Sequence, residues 1–179
     1  STYLYLDGVI VIAFERSDMY AISLSSVFYE WCFKHQGAKF GVGGSLRLSV
    51  TDTLSTFPLP AQMGSHNIIE RSMQFDSLLK RWCHSHSGGV TDFMNAIHDQ
   101  SNDDNAIIQG RSLLALINGA VWGLYGWTDI DGNYDFHKVP YLYENDNIRY
   151  TISEPARIEI LRRLAILNKQ RWQEEQDNG

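Results

Sequence analysis

The run "STFPLP", Ser55 to Pro60, constrains the fold of this chain more than any other stretch. Proline has no backbone donor, so neither a helix nor a central strand runs through Pro58 and Pro60. The sequence on either side reads differently. Before it, "TYLYLDGVIVIAFE" is rich in β-branched and aromatic residues around Asp7-Gly8, the pattern of a hairpin with strands near 2–6 and 9–15. Ser17 or Asp18 then caps a helix predicted to reach about Gln36 and stop at Gly37, with Tyr20, Leu24, Val27, Phe28 and Trp31 on one face. An extended run follows over Ser45–Val50.

Beyond the prolines the pattern is helical. Helices are predicted from His66 to about Cys83, from Thr91 to about His98 and from about Asn105 to Tyr125, broken by "SGG" and by the polar "DQSNDDN". "YLYENDNIRYTIS" reads as a hairpin turning at Asn145–Asn147. Ser153 caps a last helix that tolerates Pro155 in its first turn and runs to about Glu175, its apolar face formed by Ile158, Leu161, Ala165 and Trp172. The expected fold is therefore α+β: a small mixed or antiparallel sheet with a packed helix, then a mainly helical bundle carrying one β-hairpin. "PAQMGS" is the natural connector, giving expected domains 1–62 and 63–179.

Composition narrows the function. The chain has 179 residues, 44% hydrophobic and 12% aromatic, enough for a packed core. Its formal net charge of -6 argues against a self-sufficient nucleic-acid binder, although not against a module that shares its DNA with a basic partner. The charge is uneven: residues 1–60 hold four Lys/Arg against five Asp/Glu, and 61–179 hold eleven against sixteen. The first segment is the better candidate for phosphate contact. Cys32 and Cys83 are too few for a disulfide scaffold and suit a reducing cytosol. No signal peptide or transmembrane run is read, so the expected setting is cytoplasmic with no membrane partner. A start directly in strand-like sequence suggests a piece of a larger protein.

Several local patterns invite a chemical reading. "GVGG" at 41–44 is not a G-x-G-x-x-G, and a strand rather than a helix follows it, which disfavours a phosphate cradle. A hairpin turn or a loop that meets a partner fits better. In the second case glycine permits close approach, and Arg47 can pair with guanine or with a phosphate. "CHSH" at Cys83–His86 lacks zinc spacing and reads as the end of a helix. "TDIDGNYD" lacks the full ligand order of a calcium loop and reads as a polar turn. No G-x-S-x-G occurs, and both cysteines sit among aromatic residues on predicted helices.

Three stretches together resemble a known family. "ISLSSVFYEWCFKHQG" with "GGSLRLSVTDTLSTFPLP" is similar to a pattern in which "LSS…H.W" precedes a small-residue loop and "LRYSP…FETFPFP". "SGGVTDFMNAIHD" resembles "GLTKLYNALHDP". "GLYGWTDIDGNYDFH" and "IRYTISEPARIEILRRLAILNKQRWQEE" resemble "AAYGWDDL…GFHE" and "RYTISEAARREVLRRLLALNHERYAEE". These patterns belong to the C-terminal part of large single-chain DNA adenine methyltransferases, the MmeI-like type II restriction–modification enzymes and related phage-defence methylases. The resemblance covers about residues 9–176. It departs at Tyr29, where the family often has His, at Arg47–Val50, where "RYSP" becomes "RLSV", at "LSTFPLP", where the family has "FETFPFP", and within Leu167–Trp172, where "LNHERY" becomes "LNKQRW" and Asn168 and Arg171 are kept.

The resemblance implies that 1–62 ends a target-recognition domain and that 63–179 is the helical domain after it. It implies a non-catalytic module of a prokaryotic enzyme, whose S-adenosylmethionine site and methyltransferase core lie in another part of the protein; no cofactor is expected in this segment. The implied partners are double-stranded DNA and that methyltransferase domain. The residues expected at the DNA are Lys39, Gly43, Gly44, Ser45, Arg47, Ser49 and Thr51. Arg47 would read guanine, the hydroxyls would bond bases or phosphates, and Lys39 would meet a phosphate. The alternative is a structural or protein-interaction domain that reads no base itself.

Overall fold

A computed structural model describes residues 18–35, 49–142 and 144–178. The strands expected near 2–6 and 9–15, and the run from Ser45 up to 48, lie outside the described residues. Among the described residues six α-helices and one hairpin follow in order: α1 (Asp18–Leu24), α2 (Ser26–Lys34), a π-helical turn (Val50–Leu54), α3 (His66–His86), α4 (Val90–His98), α5 (Asn105–Leu124), β1 (Asp135–Lys138), β2 (Ile148–Thr151) and α6 (Glu154–Asn178). A short 3-10 turn, Glu144–Asp146, lies in the hairpin connection. The described chain is thus an α+β fold in which a two-stranded antiparallel sheet accompanies a helical bundle.

α5 is the central element. Ile107, Leu113, Leu114, Ile117 and Val121 are buried on it and meet Ile68, Phe75, Leu78 and Leu79 of α3. By length and apolar composition α5 would also suit a membrane span, a property not evident from the run of residues because Arg111 interrupts it. α4 adds Phe93 and Ile97, and comes so close at Gly110 that a Cβ there would sit 2.7 Å from the Ile97 Cδ1. Ala21 and Ile22 of α1, Val27 and Trp31 of α2, and Ala156, Ile160 and Leu164 of α6 complete one apolar cluster. Residues on both sides of the 62/63 boundary contribute to it. Burying each such aliphatic side chain contributes about 1.5–3 kcal/mol.

Three local features differ from the sequence reading. The helix expected over Asp18–Gln36 is two helices, broken at Ser25. The Ser25 hydroxyl donates to the Ile22 carbonyl at 2.6 Å and accepts the Phe28 amide, so it ends one helix and caps the next. Asn118 fixes the bend: its Oδ1 accepts both the amide and the hydroxyl of Ser26 at 2.6 Å.

The hairpin is the second difference. Its strands pair Asp135 with Thr151 and Lys138 with Ile148, so residues 139–147 form the connection. Tyr141 and Leu142 lie in that connection rather than in a strand. On α6 the buried stripe is Ala156, Ile160 and Leu164, at i, i+4 and i+8. Ile158 and Trp172, expected on the core face, are 55% and 57% exposed. Both stripes are apolar, so periodicity alone does not choose between them.

Candidate nucleic-acid interface and an aromatic cleft

Of the residues expected at the DNA, Ser49 and Thr51 are described; Lys39, Gly43, Gly44, Ser45 and Arg47 lie outside the described residues. Ser49 serves as a turn residue. Its hydroxyl accepts the Asp52 amide at 3.1 Å, caps the turn and donates to the Asp52 carboxylate at 2.9 Å. Thr51 is exposed, with its hydroxyl 3.1 Å from that of Ser49. The turn itself carries i→i+5 bonds, Leu54 N to Ser49 O and Ser55 N to Val50 O. Such π-turns recur at functional sites.

The stretch from this turn to Pro60 is clamped onto the helices. The Trp31 indole donates to the Thr53 carbonyl at 3.1 Å, and the buried Thr53 hydroxyl donates to the His35 carbonyl. Tyr125 donates its hydroxyl to Pro58 O at 2.9 Å, and Asn168 donates its amide to Thr56 O at 2.7 Å. Arg171 donates to Leu59 O. Phe57 fills the gap beneath, edge-on to Phe28 at 5.2 Å. The prolines thus prevent regular structure, and side chains from α2, α6 and the end of α5 satisfy the carbonyls left open.

A buried acid lies deeper. Glu30, on the inner face of α2, accepts the Tyr141 hydroxyl at 2.7 Å and lies 3.7 Å from the Arg157 guanidinium. Burial outweighs both partners and pushes its carboxyl up to about 7. Arg157 is held in turn by two bonds of 2.6 Å to Glu154. Burial, together with the neighbouring Glu30 carboxylate, pushes the Tyr141 phenol up.

Beside this network, where α2, α4, α5 and the hairpin meet, lies a cavity of about 220 Å³. Tyr29, Tyr134, Tyr141 and Tyr150 line it together with His98 and Arg149. A second hollow of about 380 Å³ shares His98 and Arg149 and is lined also by Asp99, Glu144 and Asp146. The Nδ1 of His98 is buried and has no hydrogen-bond partner. Burial, with the charges of Arg149 and Arg111, lowers this imidazole to about 4 and keeps it neutral near pH 7. Arg149 pairs with Asp146.

The arginines Arg162 and Arg163 of α6 and the metal-like motifs have structural partners. Arg163 bonds Asp129 at 2.6 and 2.8 Å and also Glu159; Arg162 bonds Glu159. His86, within "CHSH", stacks on Trp82 at 4.3 Å with its Nδ1 3.0 Å from the Trp82 carbonyl. Among the described residues no group of three or more His, Cys, Asp or Glu side chains is placed to hold a metal ion. In "TDIDGNYD", Asp129 serves Arg163 and Asp131 accepts the Asn133 amide.

Two polar residues of evident weight were not singled out from sequence. Arg111 is buried within α5 and donates to the carbonyls of Ala96, Ile97, Asp99 and Asn102, closing the end of α4. Glu30 organises the hairpin connection. Each is a lone charge inside an apolar helical stripe, which is the signal that marks them. No protein-family description, curated protein or solved structure matches this chain.

Proposed function

We propose that the chain is the C-terminal recognition and support module of a DNA adenine methyltransferase resembling the MmeI-like restriction–modification and phage-defence enzymes. In this reading it acts in a prokaryotic cytoplasm and is itself non-catalytic. Its partners are double-stranded DNA and the enzyme's own methyltransferase domain, which binds S-adenosylmethionine. The segment 39–51 faces the DNA: Lys39 on a phosphate, Gly43 and Gly44 at the close approach, and Ser45, Arg47 and Thr51 toward base edges. Ser49 shapes the turn that ends the segment.

The observation that carries the reading is the clamp on residues 53–59. Its donors come from Trp31, Tyr125, Asn168 and Arg171, each within a stretch that resembles the family. Stretches far apart in sequence therefore build one support beneath a single loop. A methylase that extrudes its target base needs neighbouring pairs held by a rigidly mounted reader.

The purely structural alternative is favoured by one feature. The Asp52 carboxylate stands at the exposed edge of the turn, where it repels phosphate. DNA-binding titrations over a range of salt separate the two. The recognition reading predicts affinity that falls as salt rises and that drops further in Lys39→Ala and Arg47→Ala. Affinity unchanged in both variants would refute it.

A further inference from the structure

The aromatic cleft is a site of a different kind from the loop. Four tyrosines line one small cavity, and Tyr29 stands at its rim 43% exposed. Such walls suit a flat π-system. The Asn118 amide already accepts from Ser26 and donates to Leu114 O, which leaves it little to offer an occupant. His98 is different: its ring lines the cavity, and its buried Nδ1 has no hydrogen-bond partner in the chain. The neutral imidazole carries one donor and one acceptor nitrogen, as a heterocycle edge requires.

The second hollow determines what the occupant carries. Asp99, Glu144 and Asp146 set three carboxylates against the single guanidinium of Arg149, which Asp146 already engages. Carboxylates accept from hydroxyl groups and repel phosphate. We propose that the cleft binds a nucleoside, with its base among Tyr29, Tyr134, Tyr141 and Tyr150, one base edge toward His98, and its sugar hydroxyls toward the carboxylates of the adjoining hollow. The acidic hollow makes this an unphosphorylated ligand and separates the site from any contact with a DNA backbone.

Adenosine, guanosine, cytidine and uridine, each with its phosphate monoester, are titrated into the 179-residue chain by calorimetry and amide NMR. At least one nucleoside binds saturably with a Kd below about 1 mM, and shifts cluster at residues 29, 98 and 150. Its monophosphate binds at least about tenfold more weakly, from like-charge repulsion. Tyr29→Ala, a change at the exposed rim, weakens binding roughly fivefold or more and leaves the unfolding midpoint unchanged. Asp146→Asn narrows the difference between nucleoside and monophosphate. The proposal is overturned if no nucleoside binds saturably, if monophosphates bind as tightly or more tightly, or if Tyr29→Ala binds as the parent does.

Discussion

Replacing Glu30 by Gln isolates the buried acid from the rest of the fold. In the folded chain burial raises this carboxyl from 4.5 to about 7. Between those values the folded state keeps a proton that the unfolded chain has released. The stabilisation is therefore complete below about pH 4.5 and is lost as pH rises through about 7. At about 1.4 kcal/mol per pH unit, the full interval is worth about 3 kcal/mol. His98 has the opposite sign. Its folded value falls from 6.5 to about 4, so its contribution is present above 6.5 and lost as pH drops through about 4.

The two slopes overlap and largely cancel, so these two groups leave the parent protein nearly flat between pH 4.5 and 6.5. Glu30→Gln removes one slope. The amide oxygen still accepts the Tyr141 hydroxyl, and Arg157 keeps its two bonds to Glu154. Urea denaturation followed by tryptophan fluorescence from roughly pH 4 to pH 8 checks this. The variant matches the parent at the acid end, gains up to about 3 kcal/mol at the alkaline end, and shows the unmasked rise due to His98. A variant less stable at about pH 8, or a difference that does not vary with pH, would refute the reasoning.

Other perturbations test the bend, the α4 closure and the packing. Asn118→Ala leaves the Ser26 amide buried without an acceptor, removes one partner of its hydroxyl, and lowers unfolding free energy by about 1–3 kcal/mol in denaturant titrations. Arg111→Met frees four carbonyls around the end of α4; amide exchange should quicken across residues 96–102 before it changes in α3, and global stability should fall by about 3 kcal/mol. Gly132→Ala places a Cβ 2.4 Å from the Trp122 ring and lowers the thermal midpoint through overpacking of about 1–3 kcal/mol. Asn168→Ala with Arg171→Ala unclamps the "FPLP" strap, and proteolysis within 53–60 should accelerate while the α3–α5 core stays protected.

The helices after "FPLP" were legible in the sequence because their punctuation is local. "SGG", the polar loop and Ser153 fix the breaks, and α3, α4 and α5 occupy the expected spans to within a few residues. What was not legible depended on partners distant in sequence. The bend at Ser25 needs Asn118, 92 residues away, to satisfy Ser26. The pairing partner of Ile148–Thr151 is Asp135–Lys138, a strand too short and too polar to stand out from the turn before it. The core stripe of α6 is set by contact with α2, not by its own period. For the site, the "FPLP" strap was recognisable as a break in regular structure, whereas Ser49, expected in an extended run at the DNA, caps the turn over Val50–Leu54. The clamps that hold the strap, the buried Glu30 and the buried Nδ1 of His98 come only from tertiary contact.

The measurement closest to the central claim is methylome sequencing of cells that carry the full-length gene, with and without substitutions in residues 39–51. In the recognition account Arg47→Ala, or replacement of the loop, changes or broadens the methylated motif while methylation itself persists. An identical motif in every loop variant would contradict that account, and loss of all methylation with the fold intact would assign the segment to scaffolding instead.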